Sequence, residues 1–191
     1  MNLKKYNNDW FNPGGNAIKR VLWYFTNALF FTNHLFPISK LKVILLRLFG
    51  AKVGICVNIK PAVNIKYPWN LKIGDYSWIG EEVWIDNLVP VSIGSNCCIS
   101  QGALLLCGNH NYKMDTFDLI AKPINIEDGV WIGAKSVVCP GITAHADSIL
   151  TVGSVATTDL LSNTIYQGIP ASAKRERTSP KQKICKTGLI K

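Results

Sequence analysis

From about Val53 to Ala156 a small apolar residue returns on a six-residue beat, and that period excludes most folds. It falls at Val53, Ile59 and Ile65, at Ile73, Ile79 and Ile85, at Ile93 and Ile99, and then at Ile126, Ile132, Val138, Ala144, Leu150 and Ala156. A small or acidic residue often follows, as in Ile79-Gly80 and Ile126-Glu127. Six fits neither the 3.6-residue period of an α-helix nor the two-residue alternation of a lone strand. It fits a coil of short parallel strands, with one inward apolar residue per side of a triangular turn and successive turns about 4.8 Å apart. The gaps Ile65 to Ile73 and Ile85 to Ile93 each hold a proline and are expected as bulged corners. A mainly β solenoid is therefore the predicted fold class, and its open ends need covers.

The beat stops for about twenty residues, Cys107 to Lys122 among them, at LCGNHNYKMDTF, Leu106 to Phe117, and His110 sits at the break. Histidine ordinarily titrates near pH ~6.5, so it suits the removal of a proton from a hydroxyl at neutral pH. The spacing alone leaves His110 open between that task and a bystander's place in a loop.

The N-terminal fifty residues follow another pattern. Ile18, Val21, Leu22, Phe25, Leu29 and Thr32 recur at helical spacing, while Trp23, Tyr24, Phe30 and Phe31 leave little polar face. Pro37 should end this helix, and Gly50 should cap a second one over Leu41 to Phe49. The apolar run from Val21 to Phe36 is too short and too polar for a membrane span of ~20 residues. Two roles stand open: covering the end of the coil, or lying in a membrane interface with Lys19, Arg20, Lys40, Lys42 and Arg47 on lipid headgroups. The expected division is a helical segment at 1–50, the repeat coil at 51–170 and a loose basic tail at 171–191.

The formal net charge of +9 gathers at the two ends, and no basic stripe interleaved with aromatics speaks for nucleic acid. None of the six cysteines forms a C-x-x-C pair, so buried free thiols in a reducing cytosol are expected. The polar start MNLKKYNNDWFNPGGN has no secretory core. His34, His110 and His145 lie far apart, which argues against a metal site. His34 is expected inside the apolar helix and His145 on the surface or facing a groove.

The hexapeptides resemble those of the left-handed parallel β-helix acyltransferases, most closely the colanic-acid-type sugar O-acetyltransferases. The stretches YNNDWF, LLRLFGAKVG, YPWNLKIGDYSWIGEEVWIDNL, GNHNY, KPINIEDGVWIGAKSVVCPGI and QGIPA carry the likeness over nearly the whole chain. The resemblance implies the left hand of the coil, a homotrimer, and a site in the cleft between neighbouring subunits with His110 as general base. It implies acetyl-CoA as donor, its arm in a groove walled by Trp131 and edged by the main chain at Gly133, Ala134 and Gly153. Thr157 matches a threonine near the nucleotide end. Arg175 matches an arginine at the 3′-phosphate, and where the family has a second one this chain has Ser172, with Lys174 as the candidate substitute. Asp86 and Asn87, in WIDNL, match the stretch beside the sugar pocket, though Asp86 also suits an ordinary corner. Either Asp115 or a backbone carbonyl should orient His110.

The function expected is acetyl-CoA-dependent O-acetylation of a sugar hydroxyl in exopolysaccharide or capsule-type glycan biosynthesis, without a metal. The protein would be cytoplasmic, at the inner face of the membrane if the N-terminal segment meets lipid. An acetyltransferase for a small soluble acceptor (serine, a free sugar or an antibiotic) and an inactive β-helix scaffold are the alternatives.

Overall fold

The structure, a computed structural model, describes residues 1–178; Cys185, Lys181, Lys183, Lys186 and Lys191 lie outside the described residues. Strands of two or three residues stack in parallel on three sides of a triangular coil. Face A holds Lys52–Val53, Leu71–Ile73, Val91–Ile93, Ile124–Ile126 and Thr143–Ala144. Face B holds Asn58–Ile59, Trp78–Ile79, Cys98–Ile99, Trp131–Ile132 and Ile149–Leu150, and face C holds Asn64–Ile65, Trp84–Asp86, Leu104–Leu106, Val137–Val138 and Val155–Ala156.

The six-residue beat is the core itself. On face B, Ile59, Ile79, Ile99, Ile132 and Leu150 pair in register and point inward, each 0% exposed. Burying each such side chain contributes about 1.5–3 kcal/mol, so the ladder is where the coil's stability is concentrated. Leu105, also wholly buried, keeps the register across the interruption. The first eight-residue gap holds a short 3-10 turn, Pro68–Asn70, as its bulged corner.

The N-terminal segment closes the first turn. Helix α1 (Ala17–Thr26) starts at Asn16, whose side chain accepts from the Lys19 N–H, and runs into a wider π turn, Asn27–Phe31. Helix α2 (Ser39–Leu48) ends before Gly50, which takes the left-handed φ of 99° that a side chain resists. The first turn has no coil above it, so its strands present unpaired backbone groups. Side chains of the segment meet them on all three faces. Arg47 donates to the Val53 carbonyl at 2.9 Å, Lys42 to that of Lys60 at 2.7 Å, and the Trp23 indole to that of Ile65 at 2.9 Å. Ser39 accepts from the Ile59 N–H at 2.8 Å.

Five expectations change. Lys42, expected among the cations on lipid headgroups, is 0% exposed and its ammonium donates to the Lys60 carbonyl, while Trp23 and Phe31 face inward and leave the stripe Ile18, Val21, Leu22, Phe25 and Leu29 more than half exposed. His34 stands exposed in a turn beyond the helix. Cys56 is exposed rather than buried. The boundary at 170/171 cuts a hairpin: Ala171–Glu176 pairs antiparallel with Thr164–Gly168, which itself pairs with Ile149–Leu150 and so extends face B.

Candidate active site

The chain leaves the coil after Leu106 as a hairpin, Gly108–His110 against Leu119–Ala121. Its last residue on the outgoing strand is His110. The ring stacks on Phe117, with centroids 4.3 Å apart and planes 2° from parallel, and the Tyr6 ring approaches at 5.8 Å. His110 Nδ1 lies 2.9 Å from the Phe117 carbonyl oxygen. A carbonyl can only accept, so in the neutral ring Nδ1 carries the proton and Nε2 keeps its lone pair. Of the two candidate orienting groups it is therefore a backbone carbonyl that holds the ring. Asp115 instead pairs with Lys5 at 3.1 Å, and its carbonyl accepts from the Asn2 N–H. Tyr6 opens the YNNDWF stretch and Phe117 closes the break in the repeat, but nothing in the sequence showed that their rings would meet His110.

Trp131 is half exposed on face B, and its indole N–H donates to Ser100 Oγ at 2.9 Å. It walls a groove of about 330 Å³ with Gln101, Gly133, Ala134, Thr151 and Val152. The N–H groups of Gln101, Ala134 and Val152 occupy equivalent corners of three successive turns and meet no backbone acceptor among the described residues. A flat apolar wall beside a row of free amides suits an extended chain with amide carbonyls, the character of a pantetheine arm. Gly133 itself is buried, and a Cβ there would sit 2.6 Å from the Val152 nitrogen; it is glycine so that the next turn can approach, not so that a ligand can. At Gly153 a Cβ would meet nothing within 4 Å. Outward along face B the register runs Trp131, Ile149, Ile165, Arg175. Three strand spacings separate the first from the last, about 14 Å. Lys174 and Thr157 are exposed nearby in sequence and form no hydrogen bond with the groove residues.

The two sugar-pocket candidates part company. Asn87 is 0% exposed, its side-chain oxygen accepts from the Lys66 and Tyr67 N–H groups, and its amide donates to the Tyr67 carbonyl. It fastens the corner from inside and is shut off from any ligand, a correction to the expectation. Asp86 is ion-paired with Lys66 at 2.9 Å, and its other carboxylate oxygen would lie 3.5 Å from a Cβ placed on Gly108, at the root of the His110 hairpin. His145 is half-buried and pairs with Glu127 at 3.1 Å, away from these groups. Burial pushes the Cys107 thiol up to about 12, which leaves it protonated and unreactive at neutral pH. No group of three or more metal-ligating side chains gathers among the described residues.

No protein-family model matches the chain. Over 164 residues it is 38% identical to the putative colanic acid biosynthesis acetyltransferase WcaF of Escherichia coli, covering 86% of this chain and 90% of that one. It is 29% identical over 149 residues to the galactoside O-acetyltransferase of Escherichia coli, with 75% and 73% covered. Among solved structures, a galactoside acetyltransferase in complex with coenzyme A matches with a TM-score of 0.74 at 26% identity, over 84% of this chain and 82% of that one. The hexapeptide-repeat acetyltransferase VCA0836 of Vibrio cholerae, complexed with acetyl coenzyme A, shares the fold with a TM-score of 0.78 at 24% identity, over 93% and 96%. These neighbours are left-handed β-helix proteins, which gives the hand of the coil.

Proposed function

Since the chain belongs to the hexapeptide-repeat acetyltransferase family, we propose that it transfers an acetyl group to a sugar hydroxyl during the making of an exopolysaccharide or capsule-type glycan. It is an acetyltransferase, and acetyl-CoA is its co-substrate. The groove beside Trp131 would hold the pantetheine arm through the Gln101, Ala134 and Val152 amides, with Arg175 on the same row as the cation for the nucleotide phosphates. Gly153 leaves the groove's edge open, and Thr157 and Lys174 flank the nucleotide end.

What carries the reading is the free Nε2 of His110. A sugar hydroxyl is a weak nucleophile, and its oxygen attacks a thioester carbonyl only as its proton is removed. His110 Nε2 takes that proton, and the imidazolium is steadied by the Nδ1–H bond to the Phe117 carbonyl. As the carbon–sulfur bond breaks, the departing thiolate takes the proton back. Asp86, 6% exposed and paired with Lys66, would offer its second carboxylate oxygen to a sugar hydroxyl at the root of the hairpin. Thiol release from acetyl-CoA across a panel of glycan acceptors, with mass spectrometry of the product, tests the reading; hydrolysis without acetylated sugar would count against it.

The working assembly is proposed as a homotrimer with this site between protomers, and the place of work as the inner face of a membrane. No helix among the described residues is long and apolar enough to cross one. Two features support contact at its surface instead. The outward stripe of α1 is apolar, and of the nine lysines and arginines between Asp9 and Asp75, a span without aspartate or glutamate, only Lys42 is buried. A second copy of the same surface would meet it with like charge, whereas an anionic bilayer is complementary to both its grease and its charge.

A further inference from the structure

A cavity of about 480 Å³ opens between α1 and the outside of face C. Arg20 and Tyr24 reach it from one side of α1 and Asn27 from the π turn that continues it, and Lys66, Tyr67 and Trp84 from the coil. Helical spacing explains the first three, which share a face at i, i+4 and i+7 while the apolar stripe looks the other way. Among the described residues the Arg20 guanidinium takes part in no ion pair. Lys66 uses one of its three donors on Asp86, at 2.9 Å. That carboxylate adjoins Gly108, two residues before His110, so the Lys66–Asp86 pair links the floor of the cavity to the root of the hairpin that carries the base. Two cations beside flat aromatic walls, with an apolar helix face outside the rim, make an uncommon combination for a site that would receive a neutral sugar alone.

We propose that this cavity seats the phosphate-linked end of the acceptor: Arg20 and Lys66 take phosphate oxygens and the Tyr67 and Trp84 rings flank the sugar. The inference rests on the acetyl-transfer reading and names the acceptor's chemical class within it, a sugar esterified through phosphate to a carrier. Guanidinium and ammonium donors are strong partners for phosphate, and aromatic faces suit the C–H side of a sugar ring. A prenyl carrier would pass around α1 to its outward apolar stripe, which is more than half exposed, whereas a nucleotide carrier would end in the cavity.

Calorimetry separates these sources when the donor groove is first filled with coenzyme A, so that added phosphate cannot bind there. Inorganic pyrophosphate, farnesyl diphosphate and a uridine diphosphate sugar are the probes. Pyrophosphate should bind, and Arg20→Gln or Lys66→Gln should each weaken it about tenfold. A gain of tenfold or more with the farnesyl chain assigns a lipid carrier, and the same gain confined to the uridine probe assigns a nucleotide one. Trp84→Ala keeps both cations, so it should loosen the sugar-bearing probe and leave pyrophosphate alone. Pyrophosphate that fails to bind, or binds without regard to Arg20 and Lys66, overturns the proposal. Coenzyme A binding in the same experiment scores the acetyl-transfer reading separately: its loss sinks that reading, while its presence beside an indifferent cavity sinks only this one.

Discussion

Phe117 serves His110 twice, accepting from its Nδ1 with a carbonyl at 2.9 Å and covering its ring with an aromatic face at 4.3 Å. Both contacts depend on an unusual backbone. Phe117 takes a φ of 55°, a region that bulky side chains avoid. The other non-glycine residues with such angles sit mainly at coil corners, where the repeat enforces them, but Phe117 lies off the coil in the hairpin. The strained turn folds residue 117 back onto residue 110 and fixes which ring nitrogen is free.

His110→Ala should therefore lower turnover by about 10²-fold or more, the scale of a lost general base, with coenzyme A binding retained. Phe117→Ala keeps the carbonyl and loses only the ring, so a smaller loss, of about tenfold or less, is expected. Steady-state rates with any accepted glycan decide the point. Near-normal turnover in His110→Ala would move the role to another group.

The outward residues of the three faces differ in character. Face A shows Lys52, Lys72, Ser92, Asn125 and Thr143, whereas beyond Asn58 and Asn64 at the first turn face B shows Trp78, Cys98, Trp131 and Ile149, and face C shows Trp84, Leu104, Val137 and Val155. A prism with two apolar sides and one polar side can bury both by placing face B of one protomer on face C of the next, a head-to-tail contact that closes into a ring. Sedimentation should give a trimer. Mixing His110→Ala chains with Trp131→Ala chains should restore part of the activity through hybrid sites. Activity in a strict monomer would remove the shared cleft.

The sequence showed the coil because its repeat is the physical cause of the fold: every beat residue from Ile59 onward is buried, and only Val53, at the top turn, is half-exposed. His110 was legible as a break in that repeat, and Trp131 through its motif. Asn87 was misjudged because a corner asparagine that ties down backbone and one that greets a sugar look alike in sequence; only its hydrogen bonds tell them apart. Phe117 against His110, and Arg20 opposite Lys66 across one cavity, were not visible in the sequence, because the hairpin and the α1 packing that create these neighbours are tertiary facts without a period. The helical stripe was visible but its direction was not, since Trp23 and Phe31, set off the stripe, took the inward face.

Lys42 is wholly buried, with its ammonium donating to the Lys60 carbonyl at 2.7 Å and lying 5.8 Å from the Phe31 ring centre. Burial lowers its pKa from 10.5 to about 8. Between those values the unfolded chain holds a proton that the folded chain has released, so stability should rise with pH across the window. Below about pH 8 both states hold the proton and this contribution to the slope vanishes. Lys42→Met should lack the rise. Urea midpoints of the two proteins, measured in parallel from neutral to alkaline pH, test it, and a constant difference between them would refute the assignment.

The outward side of α1 makes the last prediction. Ile18 is 71% exposed, Leu29 60% and Phe25 57%, and beyond the helix Leu35 is 89% exposed, an exposure that water alone does not favour. Phosphatidylglycerol vesicles should bind the protein at low salt and release much of it at about 0.5 M salt, where charges are screened within a few ångströms. Leu22→Asp combined with Phe25→Asp should cut binding about tenfold or more, because it removes apolar contact and adds repulsion to the same face. Neutralising Lys19 and Lys40 should weaken it less and flatten its salt dependence. If the aspartate variant instead turns a trimer into monomers, the stripe is a protein contact. If the native chain ignores the vesicles, the segment only covers the coil, and a prenyl-borne acceptor loses the surface along which it would arrive.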